Sequence, residues 1–259
     1  MDDIKLLLDQ EAQRINSVEF IKDDPVQFPR QFDNLRDIEI AALLSSSIAW
    51  GNRKMIVGNC RKMFSLMDWQ PYNYVMDKGY EDLPDCNIHR TIFAANLKHY
   101  LRGLRLVYER YGTLADMALA RGVGEADQPA WMLAQALNGI LYEANDCEDN
   151  RCLPLNLGTT ALKRLNMALR WLVRDDGIVD LGVWDVIKPS RLYIPLDVHV
   201  GNVSRELGLL NRRSNDRKAV LELTDKLRRY NSADPVLYDY ALFGIGVHHH
   251  NVSHPCPSV

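Results

Sequence analysis

Apolar residues recur three and four positions apart along most of the chain, the spacing that gathers them on one face of an α-helix. Ile4, Leu7 and Leu8 open the series, and Ile40, Leu43, Leu44 and Ile48 continue it after a helix start signal at Asp37. Further helical runs are expected over about 53–67, 91–110, 127–145, 159–174, 215–230 and 235–247, broken at Gly51, Pro71, Pro84, Gly112, Pro129, Gly158, Gly177 and Pro189. No run alternates convincingly between apolar and polar positions, so the expected fold class is all-α. Segments 19–32 and 177–196, with Pro25, Pro29, Pro189 and Pro195, read as long irregular connections, which in compact domains are often functional. No internal repeat or low-complexity run interrupts this pattern.

With 259 residues, 47% apolar and 25% charged, the chain has the profile of an ordinary folded protein, which excludes disorder and fibrous repeats. Its length permits one core or two lobes. No stretch approaches the roughly 20 apolar residues of a membrane span, and Asp2 and Asp3 stand where a signal peptide would be basic. Cys60, Cys86, Cys147, Cys152 and Cys256 are odd in number and form no Cys-x-x-Cys pair, which suggests reduced thiols in a cytoplasmic protein. Neither they nor the consecutive His248, His249 and His250 give a metal-ligand pattern, so no metal or other cofactor is expected.

The formal charge of −3 argues against a polyanion partner until the chain is divided. Residues 1–150 hold 16 Lys and Arg against 23 Asp and Glu, whereas residues 151–259 hold 15 against 11. Local patches set an electrostatic footprint more than the sum does, so this asymmetry permits nucleic-acid binding.

The most informative run extends from Leu162 to Arg174. Leu162, Leu165, Leu169, Leu172 and Val173 form an apolar stripe, and Lys163, Asn166, Arg170 and Arg174 line an adjacent face, expected to present cations. Gly158, Thr159 and Thr160 precede Lys163, where free backbone N–H groups at a helix N-terminus can receive a phosphate. A lysine there opposes the helix dipole. It is either a solvated helix edge or a residue kept for another purpose. Asp197, between Leu196 and Val198 and ahead of His199, Val203 and Leu207, reads as a helix N-cap. Backbone donors at such a position hold a carboxylate in place, ready to stabilise a developing cation.

The run Pro195-Leu196-Asp197-Val198-His199-Val200-Gly201-Asn202-Val203-Ser204-Arg205-Glu206-Leu207-Gly208-Leu209 resembles the Val-Asp-Thr-His-Val…Arg-x-x-Arg-Leu-Gly-Leu signature of the helix-hairpin-helix DNA glycosylases, which include endonuclease III and the 8-oxoguanine glycosylases. Lys163 to Met167, Asp180 to Trp184 and Asp239 to Gly244 extend the likeness to an uncharacterised bacterial family assigned to that superfamily. Ala42 to Ser47 resembles its early Leu-Leu-Ser-x-Gln helix, with Ser47 in place of the Gln.

The resemblance implies a two-lobed helical fold, with residues 1–36 and 151–259 in one lobe and 37–150 in the other. It also implies removal of a damaged base, an oxidised purine as first guess, from double-stranded DNA by a monomer that is nucleoid-associated when bound. Asp197 inherits the role of assisting cleavage of the base–sugar bond, and Lys163 that of attacking C1′ to form a Schiff base with lyase activity. A lysine must lose its proton to attack, and Arg164, Arg170 and Arg174 nearby would favour that loss. Gly158, Thr159, Thr160, Arg164, Arg170, His199 and Arg205 are the expected DNA contacts. Arg53, Lys54, Arg61 and Lys62, and Arg212, Arg213, Arg217 and Lys218, are further phosphate-contact candidates, and Trp50, Trp171 and Trp184 are candidates for stacking on an extruded base.

Several features depart from the superfamily pattern. The segment Leu153 to Lys163 is longer and poorer in Gly than the usual Leu-Pro-Gly-Val-Gly-x-Lys hairpin, and 34 residues separate Lys163 from Asp197. Lys188, beside Pro189, is a competing nucleophile. With Cys256 alone at the C-terminus, no iron–sulfur cluster is expected. Two alternatives remain open: a DNA-binding protein of the same fold without cleavage, and a protein-interaction scaffold.

Overall fold

The computed structural model describes the backbone of residues 2–149 and 153–253 and the side chains of 3–149 and 153–246. The protein is mostly helical. In chain order the α-helices are α1 Asp2–Ile15, α2 Val18–Lys22, α3 Leu35–Ser47, α4 Arg53–Leu66, α5 Pro71–Met76, α6 Ala94–Tyr111, α7 Leu114–Ala120, α8 Pro129–Ala144, α9 Lys163–Val173, α10 Val198–Glu206, α11 Arg217–Arg228 and α12 Tyr238–Ser253. Two very short antiparallel strands, β1 Asn87–His89 and β2 Ile92–Phe93, flank a tight turn at Arg90, which has φ 52°. Periodicity did not foresee them because a two-residue strand leaves no period to detect.

Helix starts follow local capping chemistry. Asn34, Asn52, Thr113, Asp197 and Asp216 each accept a hydrogen bond from a backbone N–H of the helix they precede. Asp37, expected to start α3, lies within its first turn and accepts from the Tyr72 amide at 2.8 Å. Segment 19–32, expected to be irregular, instead carries most of α2 and two short 3-10 turns begun by Pro25 and Pro29. Segment 177–196 is irregular apart from one such turn at Pro189–Arg191. The run expected over 159–174 becomes helical only at Lys163, after Leu162 adopts a left-handed conformation at φ 50°. No helix among the described residues lies between Ala144 and Lys163.

The core is one contiguous cluster. Helix α1 packs on α12, α12 on α10, α6 on α8, and α3 on α9. The fully buried Glu39 ties α3 to α6, α7 and the segment at Trp184: its carboxylate accepts from Leu114 N (2.8 Å) and Ala115 N (2.9 Å) at the start of α7, from Tyr108 Oη (3.2 Å), and from Trp184 Nε1 (3.0 Å). Burial pushes this carboxyl up to about 7, against the four hydrogen bonds that hold it down. No helix among the described residues is long and apolar enough to cross a membrane.

Replacing Glu39 by Gln turns an NH2 group toward these donors, and the expected loss is about 2–4 kcal/mol of stability. Urea unfolding of Glu39→Gln against the parent protein measures it, and a change below about 0.5 kcal/mol would remove Glu39 from this account.

Candidate active site

A cavity of about 940 Å³ opens between the C-terminal end of α3 with the start of α4 on one side and α9, α10 and α12 on the other. Lys163, Asp197 and Asp239 all line it. Lys163 is the first residue of α9, half-buried, and its Nζ donates to Ala49 O at 3.3 Å and lies 3.6 Å from Met167 Sδ. The next residue, Arg164, donates from Nη1 to Ser47 O at 2.6 Å. Ser47 and Ala49 stand where α3 ends, and the last carbonyls of a helix lack intrahelical partners and carry partial negative charge. Lys163 opposes the dipole of its own helix yet complements that of α3. This gives the misplaced cation a structural purpose beside any chemical one.

Asp197 is the N-cap of α10, with Oδ1 accepting from Val200 N at 3.0 Å and its backbone carbonyl accepting from Asn215 Nδ2 at 2.9 Å. Its half-buried carboxylate therefore stands at the positive end of α10 and faces the cavity. His199, two residues on, is exposed and also lines the cavity.

The other expected contacts divide. Thr159 and Thr160 line the cavity, while Gly158 stands outside it in an exposed turn. Their backbone carbonyls serve the fold: Thr159 O accepts from Arg217 N (2.8 Å) and Thr160 O from Trp131 Nε1 (3.2 Å). Arg205 is committed to Arg212 O (2.8 Å) and Asn215 Oδ1, bracing the loop after α10.

The expectation of a cationic face on α9 is corrected. Arg170 and Arg174 are 4% and 3% exposed and sit inside an ion-pair network. Arg170 pairs with Asp180 (3.2 Å) and with Asp239; Arg174 pairs with Asp180, with Asp176 (3.1 Å) and with Asp234 (2.9 Å). A buried guanidinium must be matched by carboxylates, and these two consequently offer no free charge to a phosphate or to Lys163. Trp171 and Trp184 are core residues, 0% and 3% exposed, whereas Trp50 lines the cavity beneath the Arg90 guanidinium, 4.6 Å from its ring centroid.

Of the phosphate-contact candidates, Arg53 lies at the cavity between Asp24 (3.8 Å) and the Phe243 ring (4.4 Å), while Arg212 is paired with Asp216 and Arg217 with Gln128. Cys60, Cys86 and Cys147 are free thiols, and among the described residues no group of three or more His, Cys, Asp or Glu is arranged to hold a metal. Cys152, Cys256 and the side chains of His248, His249 and His250 lie outside the described residues.

Sequence reasoning missed Asp239 as a site residue. It sits in the first turn of α12, and burial raises its carboxyl to about 6; Arg170 opposes that rise, Asp197 adds to it and Lys163 opposes it. The sequence signals were a carboxylate set in the otherwise apolar run Tyr238 to Phe243 and its place in the run Asp239 to Gly244 that extends the family likeness.

Comparison with known proteins places the chain in a family: residues 24–248 match the one described as "Protein of unknown function (DUF2400)", and the chain belongs to it. No curated protein and no solved structure matches.

The cap at Asp197 separates its structural role from its chemistry. Asp197→Asn retains a capping oxygen and is expected to stay within about 0.5 kcal/mol of the parent, whereas Asp197→Ala loses about 1 kcal/mol. Thermal unfolding of both variants tests this, and an Asn variant as unstable as the Ala one would contradict it.

Proposed function

We propose that this protein removes a damaged base from double-stranded DNA, with an oxidised purine as the first candidate, and that Lys163 forms a Schiff base with the sugar it leaves behind. The observation that carries this reading is that Lys163 and Asp197, 34 residues apart in the chain, line one cavity. The resemblance of the Asp197 segment to helix-hairpin-helix glycosylases, from which the roles of the two residues are taken, supports it.

The chemistry is consistent with the geometry. Such enzymes swing the target nucleotide out of the duplex into a pocket, and a cavity of about 940 Å³ lies in the size range of small-molecule sites. As the base departs, the sugar acquires oxocarbenium character, which the Asp197 carboxylate stabilises. The Lys163 amine then attacks C1′. The 3.3 Å contact to Ala49 O is long for a charged donor, so it holds Lys163 weakly and releases it readily to a substrate. Arg53, Arg164 and His199 at the cavity face the strand. On this reading the two lobes are residues 37–150 and residues 1–36 with 151–259, the cavity lies between them, and the protein acts as a monomer on the chromosome in the cytoplasm.

Chromatographic detection of free base from duplexes carrying 8-oxoguanine tests the proposal. The parent protein is expected to release base, and Asp197→Asn to do so at least about 100-fold more slowly. Salt-dependent duplex binding without any base release would replace this reading with that of a non-cleaving DNA-binding protein.

A further inference from the structure

The buried network leaves an imbalance that bears on the cavity. Four carboxylates, those of Asp176, Asp180, Asp234 and Asp239, surround the two guanidiniums of Arg170 and Arg174. Asp180 and Asp239 are deeply buried, and an excess of negative charge in such surroundings is relieved when a carboxyl holds a proton. Of the four, only Asp239 lines the cavity, so it is the one positioned to exchange that proton with a bound ligand. We propose that Asp239 is a second catalytic carboxyl of this site, the general acid that protonates the departing base, beside Asp197 as the charge stabiliser. This deepens the base-removal reading and rests on it.

Burial raises the Asp239 carboxyl to about 6, with Arg170 opposing and Asp197 adding to the shift, which keeps a protonated fraction near neutral pH. Asp239 thus serves as the acid, and Asp197, held at the start of α10 by Val200 N, as the charge stabiliser. The step balances. As the C1′–N bond breaks, its electron pair passes to the base nitrogen, which takes the proton from Asp239. Asp239 is left as a carboxylate against Arg170. The Lys163 amine supplies the pair for the new C1′–N bond and releases its surplus proton to solvent.

The charged and titratable groups around Asp239 come from every packed element. They are Lys163 and Arg170 on α9, Asp197 and His199 at the start of α10, and Asp180 and Asp24 across Arg170, with Arg53 beside Asp24. On the side where α1 packs on α12, Asp9 meets Tyr238 Oη at 2.8 Å, and Arg14 approaches Gly244.

The test is single-turnover release of 8-oxoguanine from a duplex over about pH 5.5 to 8 by the parent protein, Asp239→Asn and Asp239→Glu, alongside duplex affinity at two salt concentrations. Release by the parent is expected to fall as pH rises above about 6, while Asp239→Asn is at least about 100-fold slower and lacks that fall. Asp239→Glu recovers to within about tenfold of the parent, and duplex affinity stays within about threefold in both variants. Asp239→Asn releasing base at the parent rate, or losing duplex affinity together with release, overturns the acid role while the base-removal reading stands. A parent protein that binds duplex but releases no base overturns both.

Discussion

Two buried guanidiniums organise this protein. Arg170 lies in the last turn of α9 and Arg174 caps its C-terminus, and between them they bind carboxylates from the loop after α9, from the segment before α12 and from the first turn of α12. Removing either guanidinium leaves carboxylates stranded in the interior, and breaking a buried pair in this way typically costs about 3–5 kcal/mol. The network is therefore specific: it fixes where the irregular segment 174–184 crosses α9, and Trp171 O and Leu172 O secure that crossing by accepting from Leu181 N and Trp184 N, both at 2.8 Å. It also brings the start of α12, with Asp239, against α9.

The opposite end of α9 meets α3. There Lys163 and Arg164 donate to carbonyls left unsatisfied where α3 ends, while deeper in the same pair Glu39 gathers donors from α7, Tyr108 and Trp184. Positions set for packing thus also place Lys163 at the mouth of the cavity. Asp197 arrives from a different direction, because capping α10 requires an acceptor at that position and a carboxylate supplies one. The structural roles of both residues are compatible with the chemical roles proposed for them.

Much of this was legible in the chain. The long helices announced themselves through apolar spacing, and α4 and α8 fall within a residue or two of their expected limits. The N-cap at Asp197 followed from residue type and neighbours alone. The fate of Arg170 and Arg174 did not, because periodicity groups them on a face without saying what the face meets. Their partners lie at positions 176, 180, 234 and 239, and only the fold brings these together. Asp239 was hidden for the same reason. The late start of α9 escaped detection because it depends on Leu162 taking a left-handed conformation that a leucine side chain gives no cause to expect.

Borohydride trapping on a duplex with a single abasic site, followed by peptide mapping of the adduct, tests the central claim that Lys163 and Asp197 form one active site. The account predicts a covalent complex with the parent protein, mapped to Lys163, absent from Lys163→Gln and retained in Lys188→Gln. An adduct mapped to Lys188, or one that persists in Lys163→Gln, would contradict it.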